Sequence, residues 1–367
     1  MIRTWIDIFL QGVRKMANNE KYIGYIGSYT KGESKGIYSF TLNTMERKIE
    51  DVKVAAELSN PTYLTITKDN RYLYAVAKDG NNGGIAAFSV SGDGELSAIN
   101  SEGSEGAPPC HVSVDSESKF VFGANYHKGS VESHLINQEN GSISPEVSVV
   151  KHEGRGPDPR QEKAHTHYAG LTPDEKYLAV VELGTDALIT YNVGEDGTLT
   201  KVKLLPLKAG SGPRHITFHP NGKWAYLMTE FSSEVIALNY DSETGHFSEK
   251  QYISTLPEDF SENNQGSAIH ISSDGRFVYA GNRGHNSIAV FSVNGESGEL
   301  TFVEHISTEG DWPRDFALDP SEKFIVASNQ ESGTLALFAR DEESGRLTLL
   351  QSGVKAPEAV CVKFMYV

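Results

Sequence analysis

His215-Ile216-Thr217-Phe218-His219-Pro220-Asn221-Gly222-Lys223-Trp224-Ala225-Tyr226-Leu227 reads as two short strands joined by a tight turn. Polar and apolar residues alternate through His215–Phe218, the period of a half-buried strand. Pro220-Asn221-Gly222 supplies residues suited to a hairpin turn. Lys223-Trp224 then opens a second run in which aromatic residues favour the extended chain.

The basic-aromatic pair recurs. Lys21-Tyr22, Arg71-Tyr72, Lys119-Phe120, Lys176-Tyr177, Arg276-Phe277 and Lys323-Phe324 complete a set of seven, with successive aromatics 50, 48, 57, 47, 53 and 47 residues apart. In six copies the pair follows a turn, such as Ser273-Asp274-Gly275 or Pro320-Ser321-Glu322. A third apolar strand comes next, as in Ile288-Ala289-Val290-Phe291, and a weaker fourth follows a glycine turn, as in Gly298-Glu299-Leu300-Thr301-Phe302. Four strands repeated at a period near 50 predict the blades of a β-propeller.

The first copy has no innermost strand, and the chain ends on Pro357-Glu358-Ala359-Val360-Cys361-Val362-Lys363-Phe364, the opening of an eighth copy. The expected architecture is therefore all-β: seven four-stranded blades, closed into a ring by the C-terminal strand completing the first blade. Closure removes the exposed edges that an open array would leave. The propeller is expected over residues 21–367. Residues 1–20 read as an extension outside the repeats, in which Trp5, Ile6, Ile8, Phe9 and Val13 could form one helix face. Asp7 and Gln11 interrupt any signal-peptide core there.

Composition narrows the function. The formal charge of −16 over 367 residues disfavours nucleic acid and anionic membranes as partners. No apolar run approaches the roughly 20 residues of a membrane span. The two cysteines, Cys110 and Cys361, form no CxxC, which argues against a disulfide scaffold or a Cys-rich zinc site and fits a cytoplasmic protein. A closed propeller can be monomeric, and no cofactor is expected.

Repeat positions locate a candidate site. Ten residues before the last six anchor aromatics stand Thr62, Cys110, His167, Arg214, Ser267 and Arg314. Six residues after each anchor aromatic stand Ser28, Lys78, Tyr126, Leu183, Glu230, Arg283 and Gln330. Both positions flank the same hairpin turn at similar distance and should meet at its far end, forming a ring around one mouth of the central channel. That mouth gathers Lys78, His167, Arg214, Glu230, Arg283 and Arg314, with His111, Glu182, His215 and Asn282 one residue from ring positions. Arginine's planar fork suits carboxylate or phosphate, so a pocket for a small anion is one reading. The other is that these charges pair with one another and plug the channel. A metal site is a third: His165 and His167 lie two apart on a strand, within reach of His111 and Glu182. The crowding of arginines at the same mouth argues against it.

Ala164-His165-Thr166-His167, Gly212-Pro213-Arg214-His215, Thr229-Glu230, Gly281-Asn282-Arg283, Pro109-Cys110-His111-Val112-Ser113-Val114-Asp115 and Ala124-Asn125-Tyr126 resemble the lactonase family of seven-bladed propellers, from about Tyr22 to the C-terminus. That family includes bacterial enzymes acting on 6-phosphogluconolactone and a fungal muconate lactonizing enzyme. The resemblance implies a catalytic set of His167, Arg214, Glu230 and Arg283. It also implies hydrolysis of a small anionic lactone, 6-phospho-D-glucono-1,5-lactone in the pentose phosphate pathway. Arg314, Lys78, His111, Tyr126, Glu182, Asn282 and Gln330 are then the expected substrate-binding residues. Glu182 stands where many relatives carry Asp. A muconate-type cyclase and a noncatalytic anion-binding propeller are the alternatives. No Gly-x-Ser-x-Gly elbow is present, which argues against a serine acyl-enzyme.

Overall fold

The computed structural model describes residues 21–367, so the expected extension and its candidate helix face lie outside the described residues. The described chain forms 28 strands in seven four-stranded antiparallel sheets. One sheet joins the two ends: the C-terminal strand Ala359–Phe364 pairs with Lys21–Ser28, followed outward by Gly36–Asn43 and Lys48–Glu57. This is blade 1, and the expected closure is present in it. Blades 2 to 7 begin at Leu64, His111, Thr166, Pro213, Gln265 and Pro313. Among the described residues no helix is long and apolar enough to cross a membrane.

The inner hairpins form as their sequences dictate. Phe218 pairs with Ala225 and Ile216 with Leu227 around the Pro220-Asn221-Gly222 turn. The residue two before the anchor aromatic adopts the left-handed conformation in six blades: Asn70, Ser118, Glu175, Gly222, Gly275 and Glu322, with φ between 54° and 73°. Serine and glutamate are poor choices there. The two glutamates gain an inter-blade bond in return. Glu175 accepts a hydrogen bond from the Ser116 backbone at 2.9 Å, and Glu322 one from the Ser273 backbone at 2.9 Å.

The anchor aromatics hold one blade to the next. Trp224, Phe277 and Tyr72 each face a left-handed glycine in the outer turn of the following blade: Gly298, Gly345 and Gly141. A Cβ on any of these would lie 2.2–2.3 Å from the ring. Two residues beyond each anchor, Tyr226, Tyr279 and Tyr74 donate to the carbonyls of the same three glycines at 2.9–3.0 Å. Apolar layers fill the space between blades. The layer that seals the ring combines Phe324, Val326 and Leu337 of blade 7 with Phe40, Leu42 and Val362 of blade 1. Full burial of each such side chain contributes about 1.5–3 kcal/mol.

One departure from the simple hairpin count positions the site. Pro213 pairs with Thr229 but His215 with Met228, leaving Arg214 as an extra residue. His167 is skipped in the same way between Thr166 and Tyr168, and Arg314 between Pro313 and Asp315. These are β-bulges at the start of the innermost strand. A bulge turns its extra side chain out of the sheet's alternation and aims it elsewhere, here toward the channel mouth.

Candidate functional site

Two of the three bulged residues, His167 and Arg314, line a cavity of about 560 Å³ at one end of the channel. Thr62, Cys110, His167 and Arg314 from the early ring positions line it, as do Lys78, Tyr126, Glu230 and Arg283 from the late ones. The two sets meet as the repeat positions imply, although a bulge rather than direct pairing brings them together. Arg214 lies buried beside this wall, with Nε 3.2 Å from Glu230 Oε2. Arg283 Nη2 reaches the same oxygen at 2.8 Å and also donates to the Gly266 carbonyl at 2.6 Å.

Charges at this mouth do pair, but incompletely. A single carboxylate, Glu230, serves both Arg214 and Arg283. Arg214 Nη1 is buried and has no hydrogen-bond partner among the described residues, and the same holds for His167 Nδ1. A buried polar atom left unbonded costs free energy, so the charges here are not fully neutralised by one another. Arg314 bonds Gln330 at 3.4 Å and lies over the Tyr29 ring, with no ion pair among the described residues, and Lys78 is exposed and likewise has none there. The fully plugged channel is therefore not what forms.

The electrostatics follow from burial and like charge. Burial, then Arg214 and Arg314, holds His167 well below its ordinary 6.5, so the imidazole is neutral near pH 7. Burial alone would raise Glu230, but Arg283 and Arg214 outweigh it and keep the carboxyl ionised, below its usual range. Burial, with Arg283 and Arg314 nearby, pushes Arg214 down to about 9. Burial pushes the Cys110 thiol up to about 12, so it serves as wall rather than nucleophile.

Four expected residues are placed elsewhere. His111 is buried below the cavity, packed between the rings of Tyr63 at 4.4 Å and Tyr168 at 4.3 Å. Glu182 is fully buried. Its Oε2 accepts from Thr166 Oγ1 at 2.7 Å and lies 2.8 Å from His152 Nδ1, while Oε1 accepts from the His165 backbone. It thus fastens the strand start that carries His167. Asn282 is fully buried, donating to the Thr255 carbonyl at 2.8 Å and accepting from Thr255 Oγ1 at 2.7 Å. Asn125 and Asn329 do the same work in their blades, donating to the carbonyls of Ala107 and Thr308. An asparagine five residues after the anchor in three copies was the sequence signal for a structural pin. Gln330 stands behind Arg314 and off the cavity wall.

The metal reading loses its ligand set. His165 stacks on Tyr126 at 4.1 Å and is held by the Tyr126 carbonyl and Glu162, with Glu182 and His111 engaged as above. Among the described residues no group of three His, Cys, Asp or Glu could hold an ion. Sequence reasoning missed Tyr29, Lys31, Asn60 and Trp312, which also line the cavity. They sit on loops within three residues of ring positions, and widening the search to those loops would have found them.

Comparisons with known proteins match nearly the whole described chain. The profile of a family described as "Lactonase, 7-bladed beta-propeller" matches residues 23–364. A 6-phosphogluconolactonase of Bacillus subtilis is 54% identical over 347 residues, covering 94% of this chain and 99% of its own. The crystal structure of a protein from Lactobacillus plantarum superposes with a TM-score of 0.91 at 43% identity, covering 94% of this chain and 99% of that one. A periplasmic gluconolactonase of Pseudomonas aeruginosa does so at 0.89 and 32%, covering 95% and 99%.

Proposed function

The chain belongs to the seven-bladed β-propeller lactonase family, and from that membership we propose that it hydrolyses a sugar lactone, 6-phospho-D-glucono-1,5-lactone foremost. The observation that supports this reading is that His167 lines one cavity with Arg283 and Glu230, whose carboxylate is shared with the buried Arg214.

In the proposed reaction, water attacks the ring ester carbonyl while the imidazole of His167 accepts its proton. Glu230 is the weaker candidate for base, because two guanidiniums stabilise its charged form. Negative charge developing on the carbonyl oxygen is met by the positive field of the Arg283–Arg214 pair, of which Arg283 lines the cavity and Arg214 stands behind it. Arg283, fixed by Gly266 and Glu230, holds Glu230 in place and keeps the wall positive. As the tetrahedral intermediate collapses, the C1–ring-oxygen bond breaks. The proton on His167 passes to that oxygen, giving a hydroxyl and a carboxylic acid that ionises. In this reading Arg314 and Lys78, both on the cavity wall, take the phosphate.

Purified protein is expected to accelerate hydrolysis of the phosphorylated lactone above its spontaneous rate, with His167→Ala and Arg214→Ala each removing the gain. Wild-type protein that leaves the lactone at its background rate would overturn this reading in favour of a cyclase or a binding protein.

A further inference from the structure

We infer that Lys31, acting with Lys78 and Arg314, makes the cavity selective for a phosphorylated lactone over its unphosphorylated counterpart. This rests on the lactonase reading above and adds to it the basis of substrate choice.

The cavity has two chemically distinct ends. His167, Arg214, Glu230 and Arg283 come from blades 4, 5 and 6. Lys31, Lys78 and Arg314 come from blades 1, 2 and 7, which adjoin one another, and Arg314 stands where this group meets the first, close enough for its charge to act on His167. In a protein of charge −16, none of these three cations has a carboxylate partner among the described residues. The one carboxylate on the wall, Glu230, is committed to the other end. Lys31 and Arg314 both lie over the Tyr29 ring, at 4.4 and 5.5 Å from its centroid, so two like charges share one platform. A phosphomonoester dianion relieves that repulsion. Arginine offers it a fork and the lysines compact point charges.

The loop bearing Lys31 is fixed in advance. Glu358, just before the closing strand, accepts from the Lys31 and Gly32 backbones at 3.0 and 2.8 Å. Asn60 and Thr30 exchange two further bonds at 3.1 and 3.2 Å. A segment held this way loses little freedom when ligand arrives, so its charge adds to affinity with little ordering cost.

The test compares 6-phosphoglucono-1,5-lactone with glucono-1,5-lactone as substrates of wild-type, Lys31→Gln and Lys78→Gln proteins. The ratio of kcat/KM for the phosphorylated over the plain lactone is expected to fall at least tenfold in each variant, through KM of the phosphorylated substrate. A ratio within twofold of wild type overturns the inference. If wild-type protein turns over neither lactone, the lactonase reading fails, and the phosphate grip is decided separately by titrating 6-phosphogluconate against the fluorescence of Trp312 on the cavity wall. Binding weakened at least tenfold by Lys31→Gln supports the grip. Equal binding by both proteins, or none by wild type, overturns it.

Discussion

At the scale of single residues, the site depends on moving one histidine's titration away from neutrality. His167 is neutral at pH 7 because burial and the Arg214 and Arg314 charges disfavour its imidazolium. A base whose protonated form is so disfavoured stays active as pH falls past 6.5. The kcat of the wild-type protein is therefore expected to hold through pH 6.5 and to decline only in more acidic solution. Removing a nearby cation has the opposite sign. Arg314→Gln is expected to raise the His167 pKa and shift the acidic limb of the kcat profile to higher pH. A limb that stays in place would separate His167 from the proton transfer. Much of this set could be read from the sequence, since His167, Arg214, Glu230 and Arg283 occupy in-phase positions. Glu182 could not be separated from it by position, whereas Asn282 shares its position with Asn125 and Asn329 and so carried the mark of a structural pin. One residue along a strand changes which way a side chain faces, and both of these turn into the blade to bond loop backbone.

At the scale of elements, the repeat encodes contacts between blades as much as the strands themselves. The anchor aromatic and the left-handed glycine of the next blade form a pair, so their substitutions should be unequal in cost. Gly298 has φ of 75°, and an added Cβ would come 2.3 Å from Trp224. Gly222 has φ of 68°, with nothing within 4 Å of such a Cβ. Gly222→Ala is expected to cost about 1 kcal/mol of conformational strain. Gly298→Ala adds overpacking of about 1–3 kcal/mol to that. Urea denaturation of both variants checks the difference, and equal midpoints would show that the Trp224–Gly298 contact yields freely. The glycine turn was visible in the sequence as the start of the fourth strand. Its partner across the blade interface was not, because 74 residues separate Trp224 from Gly298.

At the scale of the whole molecule, two properties belong to no single blade. The first is closure. A chain ended after Lys355 loses the innermost strand of blade 1 and the Val362 backbone bond to buried Asp315, and exposes new strand edges. It is also stripped of Val362 from the sealing layer. Such a truncated chain is expected to be insoluble or to lose its cooperative thermal transition, as calorimetry would show; a transition like that of the full chain would mean the ring closes by other contacts. The second is acid sensitivity. His111, His167 and His215 are all held well below 6.5, chiefly by burial. Their folded pKa values lie under their unfolded ones, so the unfolded chain binds more protons below pH 6.5. Stability is complete above that pH and falls as pH drops from 6.5 toward the folded values, by about 1.4 kcal/mol per unit for each histidine. His134 has the opposite sign. Burial opposes its charge, but Glu132 raises its pKa, so its contribution is present at low pH and fades as pH rises. His111→Phe keeps a ring between Tyr63 and Tyr168. It is expected to reduce the acid slope, measured by urea unfolding between pH 5 and 6.5, by one histidine's share. An unchanged slope would remove His111 from the account.

By itself the sequence determined seven blades of four strands, the closing role of Ala359–Phe364 and the ring positions that supply the cavity. These depend on period and alternation, which act over a few residues and leave a mark in every copy. Tertiary structure decided that His167, Arg214 and Arg314 are bulge residues, that Glu230 serves two arginines at once, and that Lys31 joins Arg314 over Tyr29. Those facts arise where blades far apart in sequence, or the two ends of the chain, come within a few ångströms. Local pattern carries no record of such distances.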